Sequence, residues 1–134
     1  MPSTVDVADL APSAKAIIAR LNDVHPDLIV IELGDGILGG YSVDTVLADY
    51  ELLDATAAIV FCASDYVGAW GGIELLRRRG VEVDVISGSV TDSNMGADYI
   101  KTQFDVPAAN ARRDGDALFH LVMEKVEIYN EVPV

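Results

Sequence analysis

Cysteine is almost missing from this sequence: 134 residues contain only Cys62, so an internal disulfide is excluded. Positive charge is scarce as well. Nine lysines and arginines face 22 aspartates and glutamates, giving a formal net charge of −13. A field of that sign repels phosphate backbones and anionic bilayers, so neither nucleic acid nor a membrane is expected as a partner. No apolar run approaches the roughly 18–20 residues that cross a bilayer. The opening Met1-Pro-Ser-Thr-Val-Asp6 has no basic stretch followed by an apolar one. A signal peptide is therefore not expected, and a cytoplasmic location is. There is no G-x-S-x-G, no Cys/His metal spacing and no Walker A sequence.

What the sequence does have is apolar bulk, 51% of residues, enough for a packed globular core. Thr4–Ala8 alternates apolar and polar residues and reads as a short edge strand. Leu10, Ala14, Ile17, Ile18 and Leu21 have helical spacing, with Pro12 early, and predict a helix over about 12–23. His25-Pro26 ends it. Leu28–Leu33 is apolar on both faces except at Glu32, as in a parallel strand covered on both sides.

Ser42 offers N-cap chemistry for a helix over about 43–53, with Val43, Val46, Leu47 and Tyr50 inward. Ala57–Ala63 reads as a second strand that buries Cys62. After Ser64-Asp65, a helix over about 66–79 would turn Val67, Trp70, Ile73 and Leu76 inward. It would end in Arg77–Arg79, where cations suit the helix dipole, with Gly80 beyond as the C′ residue. Val81–Ile86 is the third strand. A helix over about 94–104 would bury Met95, Tyr99, Ile100 and Phe104. Val106–Asn110 suits a short edge strand because of Pro107. A last helix over about 114–128 would bury Leu118, Leu121, Val122 and Val126.

Strands alternating with helices imply one α/β domain over residues 1–134. The expected architecture is three-layer α/β/α, Rossmann-like or P-loop-like, around a mainly parallel sheet of about four or five strands. Ligands bind such sheets beyond the carboxyl ends of the strands. The polar clusters fall at those ends: Glu32 and Asp35 with Gly34, Gly36, Gly39 and Gly40; Asp65; Thr91, Asp92 and Asn94; and Asn110. These are the candidate ligand-binding residues, although strand ends also carry ordinary turn and cap residues. Glu32 and Asp35 are the candidate Mg²⁺ ligands, since Mg²⁺ takes one or two carboxylates plus water and phosphate oxygens.

Gly34, Gly36 and Gly39 form G-x-G-x-x-G after a strand, as a dinucleotide fingerprint requires. Glu32 beside the pyrophosphate position, a helix that starts only after Ser42, and Asp65 lying well beyond the usual ~20-residue spacing of a ribose-binding acid argue against that identity. Gly68, Gly71 and Gly72 share one helix at a cost of about 1 kcal/mol each relative to alanine, which implies close packing of a neighbouring backbone or chain. His25 and His120 join no constellation.

Residues 27–110 resemble the C-terminal half of dethiobiotin synthetase-like P-loop proteins. Glu32-Leu-Gly34-Asp-Gly36 occupies the place of that class's Glu-Gly-x-Gly, whose glutamate helps bind metal or substrate. Ala57–Arg79 and Val83–Asn94 match a following strand and helix and a nucleotide-contacting segment, and Asn110 fits the short late strand. The P-loop itself is absent. The resemblance implies a nucleotide- or phosphometabolite-binding domain that acts with another domain or as a homo-oligomer, with Mg²⁺ and a nucleotide as the implied cofactors. Two alternatives remain: a non-catalytic interaction or assembly domain, and a small NAD(P)-dependent oxidoreductase.

Overall fold

The computed structural model describes residues 10–133, and the chain divides into two compact units, Met1–Ala55 and Thr56–Val134. The strand expected over Thr4–Ala8 lies outside the described residues. In the first unit, helix α1 spans Leu10–Asn22. It stops before His25, whose φ of 53° is left-handed and which precedes Pro26. The apolar run 28–33 has no regular secondary structure and joins no strand ladder. Its side chains are mostly solvent-facing; Val30 is 85% exposed.

One helix was expected over 43–53, and two short ones form instead: α2, Val43–Val46, and α3, Tyr50–Asp54. The break follows from Asp49. Its carboxylate accepts the N–H groups of Glu51 and Leu52 at 3.1 and 3.2 Å, which starts a new helix rather than continuing the old one. Ser42 precedes α2, but with φ 56° it gives no side-chain cap. Lys15 of α1 reaches both Asp49 and Glu51 at 2.9 Å.

In the second unit, β1 (Val60–Cys62) pairs in parallel with β2 (Val85–Ser87), in the register Val60 to Val85 and Cys62 to Ser87. A single parallel bridge joins Ile86 to Ala108. Helix α4, Tyr66–Arg77, connects the strands. A 3₁₀ turn at Ser89–Thr91 leads to α5, Asn94–Phe104, and α6 runs over Gly115–Glu131. The core holds Ala69, Leu76, Val85, Ile86, Ile100 and Ala108.

The expected three-layer α/β/α sheet of four or five strands is not what forms. The described residues make a two-stranded sheet within a mostly helical chain. A side-chain hydrogen bond and a glycine turn show why the strands stop early. Asp84 Oδ2 accepts the Ile59 N–H at 2.8 Å, so a side chain takes the donor that a longer ladder would use. At the other end Gly88, with φ +88°, turns β2 into the 3₁₀ segment. The strand expected over 106–110 is reduced to the bridge at Ala108, and 28–33 forms no strand at all.

Helix phase also departs from the apolar pattern. On α4 the buried residues are Ala69, Gly72, Ile73 and Leu76, while Val67 and Trp70 are 76% and 56% exposed. Gly72 decides this. A Cβ there would lie 2.1 Å from the Phe61 ring, so the glycine must face β1, and Trp70 is rotated outward. On α5, a Cβ on Gly96 would come within 2.2 Å of the Val90 carbonyl oxygen. Gly96 and Ile100 therefore face in, and Met95 faces out at 78% exposure. Cys62, expected in the core, is exposed.

Candidate functional site

The carboxyl ends of β1 and β2 lie side by side. The Ala63 N–H donates to the Ser87 carbonyl at 3.0 Å, and the Val90 N–H donates to the Ala63 carbonyl at 3.1 Å. Gly88 sits so close to Ala63 that a Cβ would lie 2.6 Å from its carbonyl oxygen. The chain leaving β2 is thus pressed into its turn and carries Thr91 and Asp92 toward the chain that follows Ala108.

Asn110 collects them. It is 5% exposed, and its amide is fully engaged. Nδ2 donates to Thr91 Oγ1 at 3.2 Å and to Asp92 Oδ1 at 2.8 Å. Oδ1 accepts the N–H groups of Arg112 and Arg113 at 3.0 and 2.9 Å. Donors on one side and acceptors on the other fix the orientation of the amide. Thr91 passes its own hydroxyl proton to the Gly88 carbonyl at 2.7 Å. Arg113 donates to the Asp92 carbonyl at 2.5 Å and also to Asn94 Oδ1. Ser87 is buried beside this network, and its hydroxyl has no partner among the described residues.

Thr91, Asn94, Asn110 and Arg113 also line the head of a groove of about 600 Å³, within the usual size of small-molecule pockets. Its length runs between α5 and α6. Ala97, Ala108, Ala109 and Ala117 keep it shallow-walled and apolar, while Lys101 and His120 supply nitrogen donors and Asp98 and Glu124 supply carboxylates. His120 Nδ1 is 2.6 Å from the Asp116 carbonyl, which fixes the ring and leaves Nε2 for a ligand. Lys101 makes no ion pair among the described residues. This arrangement suits a ligand with a small apolar or planar body and an anionic group, held by the arginine and lysine.

Four of the sequence-predicted residues therefore meet: Thr91, Asp92, Asn94 and Asn110. Asp65 does not contribute its carboxylate to them; it caps α4 by accepting the Gly68 N–H at 2.7 Å. Glu32, Gly34, Asp35, Gly36, Gly39 and Gly40 lie in the first unit, on a loop without regular structure. Only Gly36 of these has positive φ, +75°. The loop leads into the single turn of α2, too short to present a useful dipole to an anion. Glu32 was expected to end a buried strand and to need donors. It is exposed, so water satisfies it. Among the described residues no group of three or more His, Cys, Asp or Glu is placed to hold a metal ion.

The sequence reading missed Arg113, Lys101 and His120. Arg113 had a signal: an arginine three residues after an asparagine that ends an apolar segment, the spacing at which an Asx turn aims the following backbone N–H groups. Lys101 and His120 had none, because they meet only through the packing of two helices. Set against protein families, curated proteins and solved structures, the chain matches none of them.

Proposed function

We propose that this chain binds a nucleotide or a phosphorylated metabolite and acts together with another domain or subunit. The observation that carries the reading is the meeting of Thr91, Asn94, Asn110 and Arg113 at the head of the groove between α5 and α6. The resemblance of Val83–Asn94 and Asn110 to the nucleotide-contacting segments of dethiobiotin synthetase-like proteins supports it from the sequence side. Asn110 holds the site in shape rather than touching the ligand, since both ends of its amide are spent. Arg113 and Lys101 meet the anionic group.

A thermal-shift panel of ATP, GTP, NAD(P) and inorganic phosphate, with and without Mg²⁺, tests this. A ligand at 100 times its Kd adds about 2.7 kcal/mol of stability. At least one phosphorylated compound should raise the melting temperature, and Lys101→Ala should reduce that effect with the fold intact. No shift across the panel removes the proposal. The same panel on Glu32→Gln decides whether the first unit's loop takes part: unchanged affinity excludes Glu32.

A second reading, an assembly domain without chemistry, is favoured by one feature. The apolar run 28–33 is left largely exposed, at 85% for Val30 and 55% for Ile31, and exposed apolar stretches of this kind mark interaction surfaces. A flat thermal-shift panel would favour it.

A further inference from the structure

The bridge beside β2 leaves two backbone groups unspent in the groove between α5 and α6. Ile86 donates its N–H to the Pro107 carbonyl at 2.8 Å, and its own carbonyl accepts the Ala109 N–H at 3.1 Å. Both bonds lie on the β2 side of the chain. In extended backbone the residue between them points its N–H and C=O the other way, so those of Ala108 face away from β2. Among the described residues neither group has a partner. Ala108 is only 2% exposed, and it lines the groove. A backbone donor and acceptor left open at a buried position are rare in folded chains, because each forfeits a hydrogen bond.

Their arrangement says what completes them. The N–H and C=O of one extended residue stand side by side on the same edge of the chain. They match a flat edge that carries an acceptor next to a donor, and the ring edges of nucleobases have that pattern. The walls suit a flat ring, because Ala97 of α5 and Ala117 of α6 bring only methyl groups to the groove. A peptide strand added to the same edge would need room for side chains above and below it, where α5 and α6 stand. Lys101 and Arg113 line the same groove and suit a phosphate, while the carboxylates of Asp98 and Glu124 can accept sugar hydroxyls.

We infer that the Ala108 backbone reads the base of a nucleotide: its N–H donates to a ring nitrogen or carbonyl of the base, and its C=O accepts from an amino or ring N–H. This rests on the ligand reading above and narrows it. Of the phosphorylated compounds that reading admits, the groove selects those that carry a nucleobase.

Isothermal titration calorimetry with AMP, GMP, CMP and UMP, each set against ribose 5-phosphate, tests this. Two added hydrogen bonds should make at least one nucleotide bind about tenfold or more tightly than ribose 5-phosphate. Ala108→Pro removes the N–H and leaves the bonds of Pro107 and Ala109 to Ile86 in place. It should bring that nucleotide's affinity down to near that of ribose 5-phosphate, whose own affinity stays as it was. In the unaltered protein, the Ala108 amide proton should move downfield in NMR spectra with that nucleotide and hold its place with ribose 5-phosphate; this decides the matter if Ala108→Pro fails to fold. Ribose 5-phosphate binding as tightly as every nucleotide overturns the inference and leaves the ligand reading standing. So does a bound nucleotide that leaves the Ala108 resonance unmoved or that Ala108→Pro holds as tightly as before. No binding by any of the five overturns it too, and the ligand reading then stands or falls on its own thermal-shift panel.

Discussion

Every buried hydrophobic side chain among the described residues, from Ala63 to Ala109, belongs to the unit Thr56–Val134. In the unit Met1–Ala55, no described residue is buried. Apolar content does not separate the two, since Leu28–Leu33 is as apolar as Ala57–Ala63. Backbone pairing does. Ala63 and Ile86 have neighbours that take their N–H and C=O groups, and helices then cover the paired strands. Residues 28–33 have no such ladder, and a backbone left unpaired must stay near water. A core here starts with satisfied backbone and then gathers side chains.

The largest expected effect comes from cutting the core where it is tightest. Ile86 is fully buried at the centre of the paired strands. Ile86→Ala should cost about 2–5 kcal/mol of stability in denaturant unfolding, through lost burial and the cavity left behind. Ile31→Ala, at a residue 55% exposed, should change stability by less than about 0.5 kcal/mol. Equal losses at the two sites would erase the contrast between the units.

Much of the second unit was legible in the sequence. The bounds of α5, the capping by Asp65 and the left-handed Gly80 follow from local chemistry, and local chemistry is what a sequence shows. The inward faces of α4 and α5 were not legible. Apolar periodicity favours Trp70 and Met95, whereas Gly72 and Gly96 turn inward because Phe61 and the Val90 carbonyl occupy the space a Cβ would need. That constraint comes from residues distant along the chain. The same holds for sheet size: Asp84 closing off Ile59 is a contact across 25 positions. At the site, the polar residues at segment ends were visible, but Lys101 and His120 meet only through the packing of two helices.

The next effect is smaller and tests polar rather than apolar burial. Asn110→Ala removes the acceptor of two backbone N–H groups and the donor to Thr91 and Asp92. The turn that leads into α6 then has orphaned donors in a buried setting. A loss of about 2–3 kcal/mol is expected, below that of Ile86→Ala, because Arg112 and Arg113 lie at the surface and water can reach part of the turn. Hydrogen exchange at the Arg112 and Arg113 amides should rise with it. Unchanged protection there would mean that the turn does not depend on the side chain.

The smallest effect belongs to the first unit, where polar contacts stand in for a core. Lys15 binds Asp49 and Glu51 at 2.9 Å each, and Asp49 also caps α3. The hydrogen bond from Lys15 is the main reason the Asp49 carboxyl is held below its ordinary value of 3.8. The bond to Asp49, and then that to Glu51, raise Lys15 above its ordinary 10.5. The depressed carboxyl contributes stability above 3.8 that is lost as pH falls through its lower folded value; the raised amine contributes below 10.5 and loses that as pH rises through its higher one. The contact is solvent-facing, so salt should weaken it. On acidification, the Glu51 and Leu52 amides should lose exchange protection while the Ile86 amide keeps its own. Lys15→Gln should move the Asp49 titration, followed by NMR, back up toward the ordinary carboxylate range. If Asp49 titrates alike in both proteins, the lysine does not hold the first unit's helices, and their order must come from half-buried apolar residues such as Ala14, Ile18 and Leu47.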